Sequence, residues 1–251
     1  MRARLAPRQK WGPPPPKATC SFGDLETSNL YGSGKTASSR FAEMYLYADE
    51  LAEQRRREPR DDVVTELLHA QVEGEALTVA EFDMFFLLLA VAGNETTRNA
   101  ITHGMLAFFD SPDQWAVFLR ERPATAADEI IRWASPVTVF QRTATRDVVL
   151  GGQPVAAGDR VAVFYPAANR DPGALPDPDR FDVRREPNDH LAFGGGGPHF
   201  CLGAPLARAE VQIMFEAIAD RLPGIRPAGE PSRLRSALVH GITSLPVRYR
   251  P

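Results

Sequence analysis

The hydrophobic pattern of this chain starts late. Up to residue 38 apolar residues are sparse and aperiodic among Pro, Gly and Ser, so residues 1–38 read as a tail and 39–251 as the folded part. From Phe41 onward, Met44, Tyr45, Tyr47, Ala48 and Leu51 return at helical spacing, up to the charged run from Gln54 to Arg60. Asp61 and Asp62 then cap a short helix through Val63, Val64, Leu67 and Leu68, which Gly74 closes. Thr78 and Glu81 form a capping box before a long helix that runs to about Phe109, where Asp110, Ser111 and Pro112 interrupt it. Its length of about 31 residues gives roughly 46 Å of helix, enough to cross a whole domain.

Ser111 and Pro112 open the next helix, to about Arg120, and Thr125 caps another that runs through Trp133 and ends before Pro136. The period then changes. VTVFQRTA, RDVVL and RVAVFY are rich in β-branched and aromatic residues and are separated by Gly-Gly and Ala-Gly-Asp turns, which predicts small hairpins and no central sheet. A Pro- and Asp-rich loop from Asn169 to Pro187 leads to a glycine run, then a helix from Ala204 to Leu222, and SLPVRY reads as a last short strand. The fold class is mainly α with small β-hairpins.

Composition narrows the function classes. The 251 residues, 43% of them hydrophobic, suffice for one large core, and a net charge of −3 gives no reason to expect nucleic acid. The longest strongly apolar run, Met84 to Ala92, is too short for a membrane span, and no signal peptide opens the chain. The two cysteines, Cys20 and Cys201, lie far apart, which argues against a disulfide framework and for a reducing, cytoplasmic setting, with Cys20 a free thiol in the tail. GSGKT at Gly32 to Thr36 is no phosphate loop: the glycine needed five residues before Gly34 is Asn29, and no strand precedes it. His69, His103, His190 and His240 lack ligand spacing and read as surface or packing residues.

Three segments carry candidate chemistry. In AFGGGGPHFCLGAPLARAE, Cys201 follows a glycine-rich loop and precedes a helix whose N-terminal dipole points back at the sulfur. A lone thiolate so placed suits one axial metal bond, since a zinc site would need three more ligands at short spacing. In LAVAGNETTRNAI, Gly93 costs about 1 kcal/mol against Ala within a helix, and Glu95 with Thr96 offers an acid and an alcohol for a proton relay. The same residues also fit an ordinary core helix, with Thr hydroxyls bonded back to the preceding turn and Glu95 and Arg98 on a solvated edge. In DEIIRW, Glu129 and Arg132 stand i, i+3 on a helix apolar on several sides, so the pair is at least partly buried and needs a third group; Arg180 in PDPDRF is the candidate.

AGNETT, EIIR and FGGGGPHFCLG, with PDPDRF between the second and the last, occur in the order and spacing of the haem-thiolate monooxygenases, so the chain from about Phe41 onward resembles the cytochrome P-450 superfamily. The resemblance implies the C-terminal part of that fold, with its long central helix and cysteine-ligand loop. Cys201 is then the ligand to the iron of haem b (iron protoporphyrin IX). Arg142 and His199 match positions that bond the haem propionates, and Phe193, Gly93 and Gly203 match positions beside the ring. Glu95 and Thr96 match the acid and alcohol that deliver protons, and Glu129, Arg132 and Arg180 match a structural triad behind the haem. The partners implied are O₂, a ferredoxin or similar donor with its reductase, docking near Arg184, Arg185 and Arg208, and an apolar small-molecule substrate.

The loop from Phe193 to Cys201 is one residue longer than the commonest family form, and with AGNETTRNAITHG and QRTA it looks like the bacterial branch acting on sterol side chains and methyl-branched lipids. Family chains are also longer: helices that lid the substrate channel, a loop over the distal pocket and a helix with further propionate contacts are missing upstream of the long helix. Two expectations of different class follow, a monooxygenase acting on a lipid or steroid-like C–H bond and a truncated, non-catalytic remnant that binds haem poorly or not at all.

Overall fold

The computed structural model describes residues 37–249, with side chains from residue 42 onward. The Pro-rich segment, Cys20, GSGKT and the side chain of Phe41 lie outside the described residues. Residues up to Ala92 pack as one unit and those from Gly93 as another.

In the first unit, α1 (Ala37–Arg57) and α2 (Val63–His69) bury Ala48, Ala52 and Val64 with Phe82, surrounded by Leu51, Leu67, Leu68 and Phe86. Asp62 caps α2 as expected, accepting the Thr65 N–H at 2.9 Å. That bond and the Arg55 guanidinium, 2.5 Å away, hold the Asp62 carboxyl at about 2. The helix stops at His69, before Gly74. Glu73 (φ 55°) and Gly74 (φ 91°) instead form the left-handed turn of a hairpin, β1 (Gln71–Val72) with β2 (Glu75–Ala76), whose two-residue strands are too short to show a period. The capping box forms reciprocally before α3 (Val79–Asp110): the Thr78 N–H donates to Glu81 Oε2 at 2.9 Å and the Glu81 N–H to Thr78 Oγ1 at 3.3 Å.

The second unit begins within α3, which continues unbroken through Gly93. Local propensity yields there to packing: Ala100, Met105, Ala107 and Phe108 enter a core shared with α4 (Pro112–Glu121) and α5 (Ala126–Ala134). Phe108 is its hub, with ring centroids 4.9 Å from Trp115, 5.6 Å from Phe118 and 5.3 Å from both Phe181 and Phe215. A Cβ on Gly104 would lie 2.6 Å from Ile130 Cγ2 and 2.9 Å from Phe215 Cζ, so the absent side chain lets α3 approach α5 closely. Thr125 precedes α5 without capping it; its hydroxyl donates to the Val183 carbonyl at 2.6 Å and ties the helix to a distant loop.

The β segments form separate antiparallel pairs. β3 (Val139–Thr143) pairs with β6 (Arg160–Phe164), from Val139 opposite Phe164 to Thr143 opposite Arg160. Inserted between them, β4 (Val148–Leu150) turns at Gly151 and Gly152 into β5 (Gln153–Val155). Tyr165, expected as strand, starts the short α6 (Tyr165–Ala168). After the loop region comes α7 (Ala204–Arg221), then β7 (Arg226–Pro227) paired with β10 (Val247–Arg248) and β8 (Ser232–Arg233) paired with β9 (Ile242–Ser244). Among the described residues no helix is long and apolar enough to cross a membrane.

Candidate functional site

The glycine run becomes a tight loop. Gly194, Gly196 and Gly197 take φ of 93°, 94° and 81°, which only glycine adopts without strain. The Gly194 N–H donates to the Leu191 carbonyl at 2.8 Å, the Phe200 N–H to Gly197 at 3.0 Å, and the Cys201 N–H to Phe193 at 3.0 Å. Cys201 is thereby held exposed one turn before α7, whose first turn carries Pro205. A Cβ on Gly203 would sit 4.0 Å from the Cys201 sulfur, so glycine there keeps the thiol's flank low. Phe200 and Leu202 flank the cysteine 45% and 77% exposed, and Phe140 and Phe164 are also uncovered on the paired strands. Among the described residues no three His, Cys, Asp or Glu side chains gather to hold a metal ion. One exposed sulfur, a glycine flank and apolar side chains therefore meet at this loop.

Behind this loop lies a buried ionic cluster. Glu129 and Arg132 are fully buried and form a bidentate pair, Nε to Oε2 at 2.7 Å and Nη2 to Oε1 at 2.8 Å. Arg132 also donates to the carbonyls of Asn169 and Pro178 at 2.8 Å and of Arg180 at 3.2 Å. The third ionic member is not Arg180, whose guanidinium is 64% exposed and lies 3.6 Å from Asp182. It is Arg185: its Nε reaches Glu129 Oε2 at 3.1 Å, and its Nη2 donates to the Arg180 carbonyl at 2.7 Å. The Asp182 N–H at 2.8 Å and Asn188 Nδ2 at 3.1 Å complete the donors to Glu129. Sequence spacing favoured Arg180 because it sits in the motif; the chain turn that carries Arg185 back over it is set by tertiary bonds.

A second group joins α5, the loop and α7. Asp128 Oδ1 lies 2.9 Å from His190 Nε2 and accepts from Arg208 Nε at 2.7 Å. Burial pushes its carboxyl up, but the bonds from His190 and Arg208 prevail and hold it below the ordinary range. The Arg208 guanidinium carbon lies 4.7 Å from the Phe193 ring centroid and the His190 ring 5.7 Å from it. The three arginines expected to meet a redox partner thus have internal work: Arg185 in the buried cluster, Arg208 on Asp128, and Arg184 paired with Glu121.

On α3, Glu95 Oε2 accepts from Arg98 Nη2 at 2.6 Å, so the acid of the expected relay is ion-paired. Buried Asn99 donates through Nδ2 to the Glu95 carbonyl at 2.8 Å and accepts the Ile242 N–H at 2.9 Å, fastening this turn to β9. Thr96 is half-buried, and the Cβ position of Gly93 faces open space. Arg142 is exposed on β3 with Nη1 on the Gln141 carbonyl at 3.0 Å, and His199 is exposed in the cysteine loop. The structure therefore joins Phe193, Cys201 and Gly203 in one loop and Glu129 with Arg132 in one cluster. Arg185, Asn169, Asn188 and Asp128 were not anticipated in these roles; the one signal for Arg185 was its place in an arginine pair beside the PDPDRF motif.

The cytochrome P450 family model matches residues 125–222, from the start of α5 to the end of α7. A steroid C26-monooxygenase of Rhodococcus jostii is 53% identical over 208 residues, 83% of this chain and 44% of that protein. A methyl-branched lipid omega-hydroxylase of Mycobacterium tuberculosis is 50% identical over 232 residues, 91% of this chain and 53% of that protein. Among solved structures, a Mycobacterium marinum cytochrome P450 in complex with pseudoionone aligns with a TM-score of 0.79 and 44% identity, over 83% of this chain and 51% of that one. Over residues 125–222 the chain is similar to the cytochrome P450 family. It spans about half the length of the curated relatives it matches and carries the C-terminal portion of the P450 fold, in the helix-rich form with small hairpins that the pattern predicted. A haem cofactor goes with that family.

Proposed function

We propose that this chain serves a haem-dependent monooxygenase that inserts one oxygen atom of O₂ into a C–H bond of a lipid or steroid-like substrate, with Cys201 as the residue that would hold the iron of haem b. The observation that carries the reading is the exposed Cys201 sulfur at the head of α7, flanked by Gly203 and by the uncovered Phe200 and Leu202. When bound, the haem supplies the O₂ chemistry and the electron-rich sulfur bond that favours O–O cleavage. The chain's own residues hold and shield it. Phe193 fixes the cysteine backbone, Phe200 and Leu202 offer apolar surface on either side of it, and Arg142 and His199 are the exposed donors suited to carboxylate groups. Glu95 and Thr96 on α3 are the acid and alcohol able to hold a proton beside the substrate, Glu95 once released from Arg98. Gly93 leaves room next to them.

The substrate class follows the relatives, one named for steroid C26 and one for methyl-branched lipids. The electron donor is a ferredoxin or similar protein with its reductase, and the exposed thiol suits a reducing cytoplasm. A second reading, a remnant without catalysis, draws on the uncovered Phe200 and Leu202 beside Cys201 and on Phe140 and Phe164 on the paired strands, apolar side chains that water wets. The test is spectroscopic. Full-length chain titrated with haem, reduced and exposed to carbon monoxide, is expected to give the red-shifted band of a thiolate-ligated haem, and Cys201→Ser to lose it. A histidine-type band, or no haem uptake, would leave the remnant reading standing.

A further inference from the structure

The loop that presents Cys201 contains almost no side chain able to anchor it: four of its residues are consecutive glycines, Gly194 to Gly197. Its fixed point is Phe193, whose carbonyl takes the Cys201 N–H at 3.0 Å. What fixes Phe193 therefore sets the cysteine. Three elements meet there. Asp128 from α5 holds Arg208 of α7 at 2.7 Å and His190 of the preceding loop at 2.9 Å through the same oxygen, and both of those side chains contact the Phe193 ring. The His190 side chain is 2% exposed. Its Nδ1 lies 3.2 Å from the Ala192 N–H, which can only donate, so the ring proton resides on Nε2 and points at Asp128. One carboxylate thus selects the histidine tautomer that accepts the backbone N–H just before Phe193, and steers the guanidinium on the ring itself.

We infer that Asp128 is a positioning residue for the cysteine ligand, acting through His190 and Arg208 on Phe193. The inference rests on Cys201 being the haem ligand only for its consequence in the loaded protein; the positioning itself exists without haem. Glu129, the next residue, holds the loop segments beyond by a separate set of bonds, so the two neighbouring acids on α5 divide the labour: one fixes the scaffold, the other aims the ligand.

The test uses the full chain, wild type and two variants. Asp128→Ala removes both bonds, and Asp128→Asn keeps an acceptor oxygen of the same reach without the charge. Nitrogen-15 histidine labelling reads the tautomer of His190, and nitrogen-15 cysteine labelling reads the exchange rate of the Cys201 amide. Wild type is expected to show His190 protonated on Nε2 alone. Asp128→Ala is expected to mix the tautomers and speed Cys201 amide exchange by roughly fivefold or more, the weight of one lost hydrogen bond. Asp128→Asn is expected to restore the tautomer and most of the protection. In haem-loaded protein the reduced-to-oxidised ratio at fixed potential is expected to change in the same order, Ala more than Asn, whereas Asp189→Asn, an exposed acid beside His190, leaves it as in wild type. Unchanged His190 signals and Cys201 exchange in Asp128→Ala would overturn the inference. If no protein takes up haem, the haem reading fails while the amide and histidine measurements still decide the positioning. If Asp128→Ala does not fold, Asp128→Asn decides: wild-type exchange and a wild-type redox ratio together with a mixed His190 tautomer would show that the histidine does not govern the cysteine.

Discussion

Replacing Glu129 by Gln subjects the buried cluster to its most direct test. The carboxylate accepts two bonds from Arg132, one from Arg185, one from Asn188 and one from the Asp182 backbone, and its side chain is fully enclosed. Gln keeps the volume, removes the charge and turns one acceptor into a donor that faces donors. Two guanidinium groups, 0% and 7% exposed, are then left without their counter-charge. Breaking a buried pair costs about 3–5 kcal/mol, a large share of the roughly 5–15 kcal/mol that holds a typical domain. Urea unfolding followed by tryptophan fluorescence reads it: Trp133 lies beside the cluster, under the Arg170 guanidinium at 3.9 Å. The midpoint is expected to fall by about 1 M or more. Arg185→Met is expected to cost about 1.5–3 kcal/mol, the range of a hydrogen bond to a charged group, and Arg180→Met under about 0.5 kcal/mol, as for an exposed surface side chain. A loss below about 1 kcal/mol for Glu129→Gln would refute the argument that the buried charge organises the cluster, and Arg180→Met exceeding Arg185→Met would return the third place to Arg180.

Two further outcomes test the packing of the same unit. Gly104→Ala gains about 1 kcal/mol of helix propensity but overpacks against Ile130 and Phe215, both buried, so a net loss of about 1–2 kcal/mol is expected in urea unfolding; an unchanged midpoint would show that the two side chains repack freely. His103 is held at about 4, below its ordinary 6.5, by burial first and by His240 and Arg233 next. The unfolded chain binds the proton at the higher pH, so this contribution is full above pH 6.5 and is lost as the pH falls towards 4. His103→Gln is expected to flatten the stability profile across that window, and an undiminished slope would assign it to other groups.

The elements most legible in the sequence were those whose signals are local. The Thr78–Glu81 box, the Asp62 cap and the helix after the cysteine loop each depend on residues within one turn of each other, and the structure places them as expected. Gly74 was misread because a glycine after a helix closes either the helix or a hairpin, and only pairing of Gln71–Val72 with Glu75–Ala76 decides which. Thr125 looked like a cap until its hydroxyl met Val183, 58 residues onward. The same division runs through the site. The cysteine loop declared itself by its glycines, and Glu129 with Arg132 by spacing. Arg185, Asn169 and Asn188 could not be found that way, because they reach the cluster from a segment with no period to read.

That segment has a kinetic meaning. Between α6 and α7 the chain runs for more than thirty residues without a helix or strand, so no regular element carries order along it. Much of its order comes from bonds to α5: the carbonyls of Asn169, Pro178 and Arg180 on Arg132, and Asp182, Arg185 and Asn188 on Glu129. Those bonds converge on one acid and one arginine, so each depends on the others to hold its partner still. The residues bound to α5 are therefore expected to open as one cooperative block, their amides exchanging with solvent together when α5 leaves the core.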